Sequence, residues 1–468
     1  MSVHISIGLW VIMGSRIENI PVELLVDILV ESQTPRTTPD KGPFEDVIEE
    51  WQRPATNWTL LMRVCRRFRN VIIDTSSLWA RIPVTSNIVA LQERLSRSRN
   101  SRLHLLFSGP CESALPFILP HTLRIRAIVT TPRFRVDSLA SLIPLLKRSL
   151  PALERVHLDT ARMNSDRGFI DRSKIEEVGS VLDETLHPRV NAVTLPRLLL
   201  PPKESGFWSQ KLLHFDIRAN YGIVSVTDRD DILAILRSTP QLESLVIIFP
   251  ERAMPRDFNP QMLGVMPALF MGASRVEPAP LLRLRALTLL GPAWLTGPVL
   301  HGLDTPALEK LFVNTTDPYD VAAGVTLMFP ARIRPLFSRD KRLHIHAGAR
   351  GGGFRFGDCH CEAGRISSER LYLRVDTTQG HPSFPLLVLC RLFGEAKLDT
   401  LELSYFRGVE PEECGAWREV LETFPGLKKV RLFNNEKQSG AAMLAEIEAL
   451  QKDGLNPEME VEVEDAPW

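Results

Sequence analysis

Five segments of this chain repeat one pattern: a proline, then apolar residues two, five and seven places on. They are Pro151-Leu153-Val156-Leu158, Pro188-Val190-Val193-Leu195, Pro240-Leu242-Leu245-Ile247, Pro306-Leu308-Leu311-Val313 and Pro425-Leu427-Val430-Leu432. Three further segments keep the triad without the proline: Leu212/Phe215/Ile217, Leu284/Leu287/Leu289 and Leu398/Leu401/Leu403, and Leu371/Leu373 is a degraded copy. The last two apolar positions stand two apart, the spacing at which strand side chains face the same way. The first enters from the preceding turn. The proline ends the helix before it. Such helices are readable in "DSLASLIPLLKRSL" before Pro151, "DRDDILAILRS" before Pro240 and "EECGAWREVLET" before Pro425. Each unit therefore reads as helix, breaker, strand. Units of this kind, side by side, predict a parallel sheet on one face and helices on the other. "MEVEVE" near the C-terminus offers a closing strand.

The triad resembles the L-x-x-L-x-L core of a leucine-rich repeat. Its spacing is irregular, about 22 to 60 residues against 20–29 in ordinary repeats. The asparagine expected three places after the last apolar residue occurs only as Asn220 and Asn435. The expected fold is α/β: an irregular leucine-rich-repeat-like solenoid with a parallel sheet over residues 151–468, the alternative being a non-solenoid α/β domain with parallel strands. Residues 83–150 connect it to the N-terminal part. There "NIVALQERLSRSRN" reads as a helix, and "SRLHLLF" and "TLRIRAIVT" as strands.

A chain of 468 residues exceeds the roughly 250–300 at which one core stops growing, so several domains or a repeat array are expected. With 44% hydrophobic and 24% charged residues, wholesale disorder is excluded. Lys+Arg and Asp+Glu both number 56, and a neutral balance argues against a general nucleic-acid binder. The clusters Arg63, Arg66, Arg67, Arg69 and Arg94, Arg97, Arg99, Arg102 read as solvated helix faces. Six cysteines in this length make no disulfide scaffold, which points to a reducing, intracellular setting, cytoplasm and/or nucleus. The opening "MSVHISIGLWVIMGSR" lacks a positive stretch before its apolar run and is too short to span a bilayer. Residues 1–15 read as a tail, or as sequence upstream of a start at Met13; the stretch after Met13 lacks the Ser or Thr wanted for myristoylation. The triplets Asn57-Trp58-Thr59 and Asn314-Thr315-Thr316 carry little weight without an export signal. No membrane partner is expected.

Residues 16–82 form a different kind of module. In "IPVELLVDILV", Pro21 suits a first helical turn, where its missing N–H costs nothing. Glu23 favours the helix dipole. Leu24, Leu25, Ile28 and Leu29 recur at helical spacing, and "SQTPRTTPDKGP" ends the helix. Further on, Leu61, Val64, Cys65, Phe68, Val71 and Ile72 make one apolar stripe, and Arg63, Arg66, Arg67 and Arg69 mostly fall off it. After a turn at Asp74-Thr75-Ser76-Ser77, Leu78 and Trp79 supply an apolar plug.

Three ordered pieces, Ile20-Pro21-Val22-Glu23-Leu24-Leu25, Val64-Cys65-Arg66-Arg67-Phe68-Arg69 and Leu78-Trp79, resemble the F-box, in the form abundant in F-box-like proteins of mushroom-forming fungi. Ile20 replaces the usual leucine and Phe68 the usual tryptophan. An insertion at about 31–60 carries Trp51, Trp58 and the acidic pairs Glu45-Asp46 and Glu49-Glu50, and Phe44, Val47, Ile48 and Trp51 suit a short extra helix. The resemblance implies docking to a Skp-family adaptor and through it to a cullin. Carried over, the adaptor-binding residues are Ile20, Pro21, Leu24, Leu25, Ile28, Val64, Cys65, Phe68, Leu78 and Trp79. The plainer alternative is that they form only a local helical core. A module of about sixty residues is marginal alone and needs a neighbour.

No phosphate-binding loop, H-E-x-x-H or G-x-S-x-G motif occurs. "HAGARGGGFRFG" reads as a flexible loop, since no Lys-Ser/Thr pair follows it. His344, His346, Cys359, His360 and Cys361 are spaced poorly for zinc. No catalytic residue, metal or cofactor is expected. The expected function is a non-catalytic substrate-recognition subunit of a Skp–cullin–F-box type E3 ubiquitin ligase, which holds an unknown protein target on its repeat region. The alternative is a leucine-rich-repeat scaffold whose N-terminal helices only cap the solenoid. Capping predicts Pro21 and Leu24 buried by residues after 83; docking predicts that they line an open apolar patch.

Overall fold

The computed structural model describes residues 20–31, 62–63, 65–131, 134–158, 177–196, 199–201, 205–208, 211–218, 226–249, 277–291, 293–317, 330, 333, 342–348, 351–356, 371–377, 390, 394, 396–404, 415–434 and 437–465. The chain is mixed α/β and divides into two compact units, Met1–Val190 and Asn191–Trp468. The division falls within the proline-led series, because the strand of the first copy pairs with the segment before it.

In the first unit, helices α1 (Val22–Glu31) and α2 (Arg66–Asp74) and a 3-10 turn (Ser76–Trp79) lead into β1 (Arg81–Val84). There follow α3 (Ile88–Arg97), β2 (Leu103–Phe107), α4 (Leu115–Ile118), β3 (Ile125–Thr130), a 3-10 stretch (Val136–Leu142), α5 (Ile143–Leu146) and β4 (Arg155–His157). The strands pair in parallel in chain order, β1-β2-β3-β4. The helix and strands expected over residues 83–150 are α3, β2 and β3. Asn87 starts α3 by accepting from the Ala90 N–H at 3.0 Å, the role of an N-cap. Arg124 closes it: its guanidinium donates to the carbonyls of Leu95 and Arg99 and to the Ser98 hydroxyl, satisfying acceptors that a helix end leaves orphaned. The segment read as one helix before Pro151 is instead a 3-10 stretch followed by one α-turn. The cause is Pro144, which cannot continue a preceding helix and sits in the first turn of α5.

Along β1 and β2 burial alternates. Ile82, Val84, Leu103, Leu105 and Phe107 are buried, and Arg81, Pro83, His104 and Leu106 are partly buried. Burial, and then the guanidiniums of Arg81, Arg126 and Arg155, push the His104 imidazole from its usual 6.5 down to about 3. Burial lowers His187 in the same way. A histidine whose folded pKa is depressed is protonated first in the unfolded chain, so acid favours unfolding between the folded and unfolded values. At 1.36 kcal/mol per pH unit, moving from pH 7.5 to 5 is expected to cost about 2 kcal/mol through His104. Urea unfolding at the two pH values checks this; His104→Gln should remove most of the difference, and an equal loss in that variant would refute the assignment.

In the second unit the strands are β5 (Ala192–Pro196), β6 (His214–Arg218), β7 (Ser244–Ile248), β9 (Ala286–Gly291) and β11 (Lys310–Asp317). They continue with β12 (Arg342–Gly348), β13 (Gly351–Phe356), β14 (Leu371–Thr377), β15 (Thr400–Ser404), β16 (Lys429–Asn434) and β17 (Glu460–Asp465). A separate parallel pair joins β8 (Ala279–Pro280) to β10 (Leu303–Asp304). Helices α6 (Val226–Arg237), α7 (Ala293–His301), α8 (Gly415–Thr423) and α9 (Lys437–Lys452) lie between strands in the chain. The closing strand expected near the C-terminus is β17, parallel to β16.

Parallel registry stacks equivalent apolar positions. Val193, Phe215, Leu245, Leu287 and Leu311 form one row, and Leu195, Ile217, Ile247, Leu289 and Val313 the next, all essentially solvent-free. The first apolar residue of each proline-led copy is buried as well, and its N–H closes a turn. Leu242 donates to Thr239 O, Leu308 to Thr305 O and Leu427 to Phe424 O, as Leu153 donates to Leu150 O in the first unit. Pro240, Pro306, Pro425 and Pro151 thus occupy the second place of a four-residue turn, where a fixed φ near −65° is already correct. The proline therefore does more than stop a helix; it aims the first apolar residue inward.

Two features depart from the sequence reading. Strand order leaves chain order between β11 and β15, running β11-β14-β13-β12-β15. And the glycine-rich segment read as a loop contains β13, antiparallel to both β12 and β14. Glycine is a poor strand former but does not forbid pairing. Here Phe354 registers between Ile345 and Leu373, and Phe356 between Leu343 and Leu371, so the apolar positions match on both sides. His344 and His346 lie on β12, and Cys359, His360 and Cys361 lie outside the described residues. Among the described residues no group of three or more His, Cys, Asp or Glu could hold a metal ion, and no helix is long and apolar enough to cross a membrane. Asn220 and Asn435 also lie outside the described residues.

Candidate docking surface on the N-terminal helices

Pro21 stands one residue ahead of α1, and its carbonyl accepts the first helical bond, from the Leu25 N–H at 3.1 Å. The missing N–H of a proline costs nothing at such a place. The helix then splits its apolar residues between two directions. Leu25 and Leu29 are 0% and 3% exposed, while Val22 and Leu24 are 47% and 54% exposed, beside an exposed Pro21. Glu23 and Asp27 lie on the wet side.

Helix α2 supplies the other wall. Cys65 has extended backbone and caps the helix, its Sγ accepting from the Phe68 N–H at 3.5 Å. Phe68, Val71 and Ile72 face inward. Thr75 ends the helix by donating to the Val71 carbonyl through both N–H and Oγ1, and the chain turns into the Leu78-Trp79 plug. Leu25, Leu29, Phe68, Val71, Ile72, Leu78 and Trp79 form one core, with Ile20, Val26, Met62 and Cys65 packed on its margin. Trp79 is held at both ends of its indole. Its Nε1 donates to the Ile72 carbonyl at 2.7 Å, and the Arg97 guanidinium lies 4.5 Å over the ring, itself paired with Glu93 at 2.5 Å. Such a cation over an indole adds attraction beyond packing.

The arginines therefore serve more than solvation. Arg63, Arg66 and Arg69 are exposed as expected, but Arg67 donates to the Ile20 carbonyl and Arg69 to that of Met62 at 3.2 Å. These bonds tie the residues just ahead of α1 and of α2 to α2 itself. The module also joins the sheet of its own unit: Ser76 and Ser101 share a hydroxyl bond at 2.8 Å, and the His104 N–H donates to Ala80 O.

The ten residues proposed from sequence fall into distinct places. Leu25, Phe68, Leu78 and Trp79 are interior; Ile20 and Cys65 are half-buried; Pro21 and Leu24 face out. The Ile28 side chain and Val64 lie outside the described residues, as do Leu61 and all but the first residue of the insertion at about 31–60. Sequence reasoning missed the exposed Val22: its spacing of three and seven from Leu25 and Leu29 marks it as inward, and only its place at the first residue of α1 leaves it in water. It also missed Arg97 as the lid on Trp79, for which no local spacing rule exists. Compared with models of known protein families the chain matches none, and compared with curated proteins it likewise matches none.

Proposed function

We propose that this chain is a non-catalytic substrate receptor of a Skp–cullin–F-box type ubiquitin ligase. Its N-terminal helices dock a Skp-family adaptor and its repeat region, an irregular leucine-rich-repeat-like solenoid in this reading, carries the target. One observation supports the reading most. Pro21, Val22 and Leu24 are solvent-exposed apolar residues at the first turn of a helix whose Leu25 and Leu29 are packed inward. A helix that merely capped its own domain would have no use for them, whereas an adaptor would cover them. The buried members of the set hold that first turn in place and touch the adaptor little.

Co-purification tests the proposal. The tagged chain should recover a Skp-family adaptor, and Leu24→Asp should abolish recovery with the melting temperature unchanged, because Leu24 already stands in water. Burying an aspartate in an apolar contact without a partner is costly enough to break it. If the intact chain recovers no adaptor, the chain is not a receptor of this kind.

A further inference from the structure

The first unit's sheet carries a group of arginines at the N-terminal ends of its strands, set about an uncharged His104. The register aligns Arg81 with His104, His104 with Ala127, and Ala127 with Arg155. These positions cross four parallel strands, with the fully buried Ala127 in the third, so that the accessible groups are the arginines at its sides. A register shift between Leu103 and His104 brings Arg126 beside the row, where its Nε donates to Glu154 at 2.6 Å. Arg102 reaches the other oxygen of Glu154 at 3.2 Å. Arg81, Arg102, Arg126 and Arg155 with Glu154 sum to a formal +3, in a chain whose total is +0. The arginines act on one spot, for Arg81, Arg126 and Arg155 all bear on His104.

We propose that this row docks an acidic linear segment of a partner protein, with the arginine forks taking its Asp and Glu carboxylates. Guanidinium pairs with carboxylate through two parallel bonds, which gives geometric selection as well as attraction. Strands about 4.8 Å apart make the row roughly 14 Å long, the reach of about four or five extended residues. Glu154 holds Arg102 and Arg126 side by side at one edge of the row. A nucleic acid would call for a basic excess well beyond so short a row, and the neutral chain offers no general one. The inference rests on the receptor reading in one respect, that the segment belongs to the target; the binding itself does not need the adaptor.

Fluorescence anisotropy on the full chain tests it, with a short labelled oligoglutamate, its oligolysine counterpart and a single-stranded oligonucleotide. The oligoglutamate should bind, the oligolysine should not, and affinity should fall as salt rises. Arg126→Gln with Arg155→Gln should weaken oligoglutamate binding by about tenfold or more. Arg155→Lys, which keeps the charge but loses the fork, should weaken it a few-fold. No binding to the intact chain, tighter binding of the oligonucleotide, or unchanged affinity in either variant would overturn the proposal. Adaptor recovery measured on the same preparations separates the two ideas: peptide binding without adaptor sinks only the ligase assignment.

Discussion

Trp79→Ala is expected to destabilise the first unit by about 3–5 kcal/mol, a large part of the roughly 5–15 kcal/mol that holds a typical domain. The indole is 8% exposed, closes the core of α1 and α2, and lies against Arg97. Alanine leaves a void that Phe68, Val71 and Ile72, fixed on α2, cannot fill without moving the helix. Trp79→Phe separates the contributions. It keeps most of the apolar volume but leaves the Ile72 carbonyl without the indole N–H, which costs about 1–3 kcal/mol when the acceptor is buried. Arg97→Ala should cost only about 0.5–1 kcal/mol, the worth of a half-exposed cation over a ring. Urea unfolding followed by tryptophan fluorescence and by circular dichroism gives the order; a Trp79→Ala protein as stable as the parent would show that the plug is not closed. Because this variant fails by unfolding, adaptor loss in it says nothing about docking, and Leu24→Asp is the informative change.

Gly291→Ala is the second large effect. Gly291 ends β9 at φ 136°, a conformation that residues with a Cβ rarely adopt. A methyl there would stand 2.6 Å from the Cβ of Phe249, whose own N–H donates to Leu290 O at 2.7 Å, so the neighbour cannot easily retreat. Strain of about 1–3 kcal/mol from the backbone and a similar overpacking cost together give roughly 2–6 kcal/mol. Two controls isolate the terms. Gly454→Ala shares a positive φ of 91° but has open space and should lose only the backbone part. Gly426→Ala has open space with no such φ and should be near neutral. Thermal unfolding of the three variants checks the ranking, and equal melting temperatures would discard the argument.

Much of the second unit was legible because its determinants are local. A proline, a residue two places on and two strand positions beyond it recur within eight residues. Each copy sets its own turn and strand: the paired apolar positions fall at β5, β6, β7, β9, β11, β14, β15 and β16, as those of the first copy fall at β4 in the first unit. What the triad does not encode is the neighbour of each strand. Order between β11 and β15 follows a three-strand meander whose middle strand begins Gly351-Gly352-Gly353, a composition that favours a loop. Pairing on both sides overrides that preference, and no local pattern announces it.

In the N-terminal helices the same line divides what could be foreseen. The apolar residues Leu24, Leu25, Ile28 and Leu29 share a helical spacing, so the sequence alone determined that α1 exists and is amphipathic. It could not decide which part of that stripe packs inward, because Leu24 and Leu25 stand about 100° apart and both fall on it. Tertiary structure decided it: α2 and the Trp79 plug stand on the Leu25 side, and Leu24 is left in water. Likewise the arginines of the first unit are visible in sequence as scattered basic residues. Only parallel pairing, which brings positions about twenty to thirty residues apart to within one strand spacing, collects Arg81, Arg126 and Arg155 around His104. Periodicity is a short-range property written into the chain; which surface it presents depends on long-range contacts that no single segment contains.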